Sequence, residues 1–478
     1  MNHEVRASLL PNRRTWLQRA AGGALGIALQ AMLAKEATAV DGRKTPVDAP
    51  DPLAVRAPLT APRAKRVIFL YMTGGVSHVD SFDYKPQLIA QHGQQIMVDN
   101  WQGKLGQFPR FLKRPNWKFR PGGQCGTMIS DLFPHVRSVA DELCVIRSLS
   151  SDHTNHYEST LGMHCGSWTF ARPSIGAWVS YGLGTENRNL PSFVVIAPHA
   201  PYAGTQTWGS DFLPGAHQGT WLVPGAEPIA NIRPRSKSLR LQQMELELIN
   251  RANAQHQLGR EEDQALAARI RSFETAFGMQ HEAPEALDLS GETPATLRMY
   301  GLERGQTTGF GWQCLVARRL IERDVRFVEL IDVGAANNWD AHGDMATHAP
   351  LAKNVDQAIA ALIRDLKQRG LLDDTLVVWT TEFGRTPYHE KADHPGREHH
   401  HQVFSSWLAG GGVKAGISYG ESDEYGIAVA ENRVHVHDFH ATILHLLGLD
   451  HERLTFRHAG RDYRLTDVHG RVVHQILA

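Results

Sequence analysis

Arg66-Val-Ile-Phe-Leu-Tyr-Met72 is a short continuous apolar run that ends on Thr73-Gly74-Gly75. An alternating pattern would mark a strand with one wet face. An unbroken run of this length marks a strand covered on both faces, as in a parallel sheet flanked by helices. Similar runs recur at Leu143–Ile146, Phe193–Ile196, Val325–Ile331, Leu376–Thr380 and Val403–Leu408. Helical patterns lie between several of them. Phe310 to Glu322 leads directly into the Val325 run, and Val355, Ile359, Leu362, Ile363 and Leu366 mark one face of a helix that Gly370 ends. Asp438 is placed to cap a helix running to Leu447 and stopped by Gly448. Leu239 to Phe277 is rich in Glu, Gln, Arg and Ala, with Ser236 or Ser238 available as N-cap, and reads as a helical insertion around 236–280. Strands alternating with helices predict one α/β domain over 65–478, built on a large, mainly parallel sheet.

The composition agrees with a folded enzyme-sized chain. Its 478 residues are 42% apolar and 21% charged, which describes a globular protein rather than a disordered or fibrous one. Lys and Arg number 50, against 50 Asp and Glu, so the overall charge gives no reason to expect nucleic acid or an anionic membrane as partner. Histidine is in excess at 26 residues, crowded toward the C-terminal end, and histidine is the commonest metal ligand. Cys125, Cys144, Cys165 and Cys314 form no C-x-x-C, which argues against a thiolate zinc knuckle and for small buried side chains.

The first residues read as an address. Asn12-Arg13-Arg14-Thr15-Trp16-Leu17 is a twin-arginine pattern, a weakly apolar Ala20–Ala34 stretch follows, and Ala37-Thr38-Ala39 offers the small residues of a cleavage site. Residues 1–39 are therefore expected to be a twin-arginine signal peptide and 40–64 a Pro/Ala-rich linker. The mature chain, with no long apolar segment, is expected to be exported to the periplasm or beyond without spanning the membrane.

In a doubly wound sheet the ligand sits at the carboxyl ends of the strands. After Arg66–Met72 come His78, Asp80 and Asp83; after Leu143–Ile146 come Asp152, His153, His156 and Glu158. Asp340 and His342 follow Val325–Ile331, and Glu382 and Arg385 follow Leu376–Thr380. Arg397-Glu398-His399-His400-His401 stands at the entrance to Val403–Leu408. Carboxylates and imidazoles without sulfur suit zinc, manganese or iron, and carboxylate-rich sites also suit magnesium or calcium. Ser77 has Gly75 before it but Val79 after it, so it is no nucleophile elbow, and the sequence has no H-E-x-x-H, no P-loop and no G-x-G-x-x-G that opens a helix.

Several stretches together resemble a known family. They are Ile68-Phe-Leu-Tyr-Met-Thr-Gly-Gly-Val-Ser-His-Val-Asp-Ser-Phe-Asp83, Trp339-Asp-Ala-His342, Thr381-Glu-Phe-Gly-Arg-Thr-Pro387 and Leu408-Ala-Gly-Gly-Gly-Val-Lys414. Arg172-Pro-Ser-Ile-Gly-Ala-Trp178 and Ala317-Arg-Arg-Leu-Ile-Glu-Arg323 belong to the same likeness. They are similar to the domain of unknown function 1501 family, exported bacterial proteins grouped with the alkaline phosphatase and sulfatase superfamily, and the resemblance covers about residues 65–478. It implies a three-layer α/β sandwich of the alkaline phosphatase type. It also implies hydrolysis of a phosphate or sulfate ester with a divalent metal such as zinc, manganese or calcium.

Residue by residue, Asp340 and His342 resemble a metal-binding Asp…His pair, and His399 falls where a later histidine completes that site. Glu382 stands where relatives carry the Asp of an Asp-His-Gly motif, with Phe383 in place of the histidine. The first strand ends in Thr73-Gly74-Gly75 where relatives commonly have a metal-binding Asp, which leaves His78, Asp80 or Asp83 to supply it. His153 or His156 occupies the neighbourhood of the nucleophile, and Arg385 would hold the anion. The alternative is a catalytically inactive exported binding module on the same fold.

Overall fold

The computed structural model describes residues 51–101, 104–232, 238–260, 263–333 and 338–478; the segment read as a twin-arginine signal lies outside them. Arg66–Met72 forms β1, near the middle of a nine-stranded sheet. Its companions are β2 (Leu143–Ser150), β3 (Phe193–Ile196), β4 (Thr220–Leu222), β5 (Phe327–Asp332), β6 (Thr375–Thr380), β7 (Phe404–Ala409), β8 (Ile417–Tyr419) and β9 (Val434–His435). Across the sheet the order is β8-β2-β7-β6-β1-β5-β3-β4, with β9 beside β2. The pairings are parallel except those of β7, which runs antiparallel to both β6 and β2.

Both faces of the sheet are covered, as the unbroken apolar runs require. Ile68, Leu70 and Met72 of β1 enter a core with Trp312 of α5 (Phe310–Ile321) and Ile359 and Leu362 of α6 (His348–Gln368). Val67, Phe69 and Tyr71 enter the opposite core with Trp178 of α2 (Ile175–Leu183) and Phe439 and Ile443 of α7 (Val436–Leu446). Successive side chains on a strand alternate faces, so one strand serves two cores. Each fully buried side chain of this size contributes about 2 kcal/mol of transfer free energy. The molecule is thus a three-layer α/β sandwich around a mostly parallel sheet.

Some boundaries differ from the sequence reading. The Leu239–Phe277 pattern is two helices, α3 (Leu239–Gln257) and α4 (Gln264–Leu287), separated at Gly259, whose φ of 74° suits glycine. Asp438 does not cap α7. His435 is the N-cap and Asp438 sits three residues on, its carboxylate accepting the His435 N–H at 3.0 Å in a reciprocal capping box. The described half of the expected linker lies against the domain: Arg56 N donates to Leu183 O, Thr60 N to Gly448 O and Ala64 N to Leu446 O. A Pro-rich strip with no internal ladder satisfies its backbone on its neighbours in this way. Cys144, Cys165 and Cys314 are buried free thiols, and Cys125 is exposed. Among the described residues no helix is long and apolar enough to cross a membrane.

The direction of β7 matters most for function. Because it runs against β2 and β6, the residues entering it stand at the same edge as the residues leaving the parallel strands. His399, before β7, therefore meets the loops after β2, β5 and β6.

Candidate metal centre

The site is assembled from four chain segments. His156 opens α1 (His156–Cys165) just after β2, with Asn155 as N-cap accepting the Tyr157 N–H at 3.0 Å. Asp340 and His342 lie in the loop after β5, and Glu382 follows β6. His399 sits on a two-residue ribbon, His399–His400, paired antiparallel with Gly384–Arg385 so that Arg385 faces His399. The Gly74 turn after β1 holds these pieces close. A Cβ on Gly74 would stand 2.7 Å from the backbone nitrogens of Trp339 and Asp340, so only glycine lets the Asp340 loop approach.

The three histidines are oriented alike. His156 Nδ1 donates to Glu382 Oε1 at 2.6 Å, His342 Nδ1 to Glu398 Oε2 at 2.8 Å, and His399 Nδ1 to the Thr154 carbonyl at 2.6 Å. An ionised carboxylate or a carbonyl can only accept, so each Nδ1 carries the hydrogen and each Nε2 is the lone-pair end. All three Nε2 atoms face Asp340. His342 and His399 lie 3.0 and 3.1 Å from its Oδ1, and His156 lies 3.3 Å from its Oδ2. The Nε2 atoms of His342 and His399 are only 2.9 Å apart. His156, Asp340 and His399 each offer a ligand atom within 4.8 Å of the other two, and His342 Nε2 stands within 3.0 Å of both Asp340 and His399.

Lone pairs crowded in this way repel unless a cation, either protons or a metal ion, lies among them. The electrostatics point the same way. Burial opposes ionisation of Asp340, but its bonds to His156, His342, His399 and Arg385 outweigh that and hold it far below the usual carboxylate range. Bonds to Asp340 and Glu398 push His342 up to about 9. Burial works against charge on His156, and its bonds to Asp340 and Glu382 more than offset it, so its pKa is raised. A donor set of three imidazole Nε2 atoms and a carboxylate, each imidazole backed by an acceptor, fits a divalent transition metal.

Glu382, expected among the ligands, stands behind His156 instead. Its Oε1 accepts from His156 and from Gly74 N at 2.8 Å, and its Oε2 accepts from Tyr71 and Thr381 hydroxyls, both at 3.1 Å. Arg385, expected to hold an anion, is fully buried. Its Nη2 bonds Asp340 at 2.5 Å and the Gly74 carbonyl, and its Nε donates to Gly75 O at 3.0 Å. It therefore positions Asp340. His156, read as part of the catalytic neighbourhood, joins the ligand cluster.

His78, Asp80 and His153 are not brought to the cluster. Asp80 accepts from Arg397 Nε at 2.7 Å, Ser77 at 2.6 Å and Asn116 N at 2.7 Å, a fully paired buried carboxylate. His78 bonds the Gly426 carbonyl at 2.9 Å and stacks on His400. His153 is half-exposed on the other side of its loop, 3.9 Å from Glu158.

Sequence reasoning did not select Glu398, Tyr202 or Tyr71. Glu398 carried a signal, since it adjoins His399 at the entrance to β7. Tyr202 carried none: it comes from the β3–β4 connection and stacks on the His156 ring, 4.2 Å between centroids at 11°. Phe383 packs both His156 and His399, at 4.8 and 4.5 Å, so one ring braces two imidazoles.

No curated protein matches the chain. Among solved structures it is similar to a phosphonate monoester hydrolase from Silicibacter pomeroyi, at 11% identity and a TM-score of 0.35, over 86% of this chain and 76% of that one. A protein in the alkaline phosphatase superfamily from Vibrio parahaemolyticus is similar at 10% identity and a TM-score of 0.36, over 92% and 77% of the two chains. A sulfatase from Pseudoalteromonas sp. is similar at 12% identity and a TM-score of 0.34, over 81% and 68%. The family described as protein of unknown function (DUF1501) matches residues 64–477, nearly the whole domain, and the chain belongs to it.

Proposed function

We propose that the chain is a metal-dependent hydrolase of phosphate or sulfate esters, exported by the twin-arginine route. His156, His342, His399 and Asp340 would hold the ion. The observation that carries this reading is the shared orientation of the three imidazoles, each with Nδ1 spent on an acceptor and Nε2 turned to one carboxylate. Imidazole-rich donors favour zinc or manganese over calcium, which prefers all-oxygen shells. A bound ion there supplies Lewis-acid polarisation of an ester oxygen and acidification of water.

The chain's own residues do the positioning. Glu382 and Glu398 fix the tautomers of His156 and His342, Arg385 fixes the Asp340 carboxylate, and the Tyr202 and Phe383 rings fix the imidazole planes. One observation favours the second reading, a binding module without turnover: the buried Arg385 guanidinium is engaged by Asp340 and three carbonyls rather than open to an anion.

Elemental analysis of the purified mature protein, with a panel of aryl phosphate, phosphodiester and aryl sulfate substrates, separates the two. The hydrolase reading expects about one transition-metal ion per chain and turnover of one ester class, both lost in Asp340→Ala. Metal-free protein with no turnover would support the binding module and overturn the hydrolase.

A further inference from the structure

The helix α3 carries its apolar side outward. Its half-buried positions, Gln242, Leu246, Asn250, Asn253 and Gln257, recur every three or four residues and form the face turned to the domain, where the Gln242 amide donates to Gln280 of α4. All but Leu246 are amides. On the opposite face Leu241, Met244 and Leu248 are 57, 57 and 52% exposed. Exposed Ala252 follows one turn on, and Ile249, 49% exposed, stands at the flank. A surface helix ordinarily lays its apolar stripe on the core and its polar side in water, so α3 is inverted.

Single exposed leucines are ordinary, but an apolar stripe along one helix, turned away from its own domain, marks a contact surface. The charges beside it say of what kind. Arg240 and Arg251 balance Glu245 and Glu247, so the face has no excess of positive charge to draw it to an anionic membrane. The pattern is complementary to itself instead. At about 3.6 residues per turn, Glu247 and Arg251 lie on one flank of Leu248 and Ile249 lies on the other. Two copies of α3 packed antiparallel about a twofold axis beside Leu248 bring each Glu247 level with the other copy's Arg251. The same operation sets Ile249 against Ile249, and Met244 between Ala252 and Gln255 of the other copy.

We propose that α3 is the surface through which two copies of this chain form a twofold-symmetric dimer, with Leu248 at its centre. A twofold contact uses the same patch twice, so each copy must carry both members of every charge pair, as Glu247 and Arg251 do. The patch is one helix wide, and the dimer is accordingly weak, with a Kd of about 1–100 µM. None of the residues gathered at the metal cluster lies on α3, so the dimer is independent of the metal reading.

Sedimentation velocity of the mature protein between about 1 and 200 µM tests the proposal, and a shift from monomer to dimer across that range is expected. Leu248→Glu puts two carboxylates together at the twofold axis and should weaken the dimer about tenfold or more. Leu248 is 52% exposed, so the change opens no core, and a circular-dichroism melt verifies the fold. Glu247→Arg and Arg251→Glu should each weaken the dimer severalfold, because like charges then face each other across the flank. An equimolar mixture of those two variants restores both opposite-charge pairs and should dimerise like wild type. Monomer at every concentration, a dimer untouched by Leu248→Glu, a mixture no tighter than its separate components, or a monomer that floats with phosphatidylglycerol vesicles would overturn it.

Discussion

His156, His342 and His399 on one side, and His217 and His440 on the other, use the same side chain for opposite ends. His217 and His440 are buried among apolar neighbours, one bonded to the Ser180 hydroxyl at 2.9 Å and the other donating to the Met163 carbonyl at 2.7 Å. Burial depresses both to about 3, so they are neutral packing residues. Among the strand-edge histidines, the carboxylates they face raise His156 and His342, whereas burial lowers His399 despite its contact with Asp340. His164 shows that a carboxylate alone does not make a site. Its Nε2 meets Glu329 at 2.7 Å and its Nδ1 meets the Thr160 carbonyl at 2.7 Å, so both nitrogens are spent on acceptors. What separates the cluster is that one nitrogen of each ring is left over and the leftover nitrogens converge.

The largest expected effect breaks that convergence at its centre. Asp340 is the common neighbour of all three Nε2 atoms, so Asp340→Ala should lower metal affinity by more than about 100-fold, measured by competition with a chromogenic chelator. The corresponding change at the packing histidines should leave metal content untouched. A smaller effect is expected behind the ligands. Glu398→Gln keeps the size of the side chain but loses the charge that fixes His342, and should weaken metal binding about 10–100-fold with little change in thermal stability. Equal affinity in Glu398→Gln and wild type would mean that His342 is not a ligand.

The sheet was legible because its strands are unbroken apolar runs, and five of the six predicted runs start within one residue of the observed strand. Val325 is the exception, two residues ahead of β5. The direction of β7 was not legible, since hydrophobicity carries no polarity. Yet that direction brings His399 to the strand ends, which is why a residue before a strand belongs with residues after strands. Asp340, His342 and His399 were selected because they follow or precede strands. Glu382 was selected too, but sequence position could not show whether it would meet an ion or a histidine. His78 and Asp80 failed to arrive because the Gly74-Gly75 turn redirects the chain into a short 3-10 turn, where Arg397 takes the carboxylate. Tyr202 comes from a long connection without periodicity and is visible only in three dimensions.

Acid sharpens the comparison by acting on the packing set. His217 and His440 bind protons in the unfolded chain near pH 6.5 but in the fold only near about 3. Between those values the unfolded state holds more protons, so their contribution is complete above about pH 6.5 and is lost as the pH falls toward 3. Each should cost up to about 1.4 kcal/mol per pH unit in that window. Urea unfolding at pH 7.5, 6.0 and 5.0 should show a declining midpoint, with a shallower decline in His440→Gln, which has no imidazole to protonate. An equally steep decline in that variant would place the acid sensitivity elsewhere.

The smallest expected effect lies where the two sets touch packing and chemistry at once. Tyr202 is 39% exposed, yet its ring lies almost parallel on His156. It covers the solvent side of an imidazole whose other neighbours, Phe383 and His399, are tilted or edge-on. A stacked aromatic pair is worth about 0.5–1.5 kcal/mol beyond the area it buries, so Tyr202→Leu should weaken metal affinity by about two- to tenfold. Tyr202→Phe keeps the stack and should bind the ion like wild type. If Phe behaves like Leu, the hydroxyl rather than the ring serves the site. If neither changes affinity, His156 is held by Glu382 and Phe383 alone, and the difference between the two histidine sets reduces to their carboxylates.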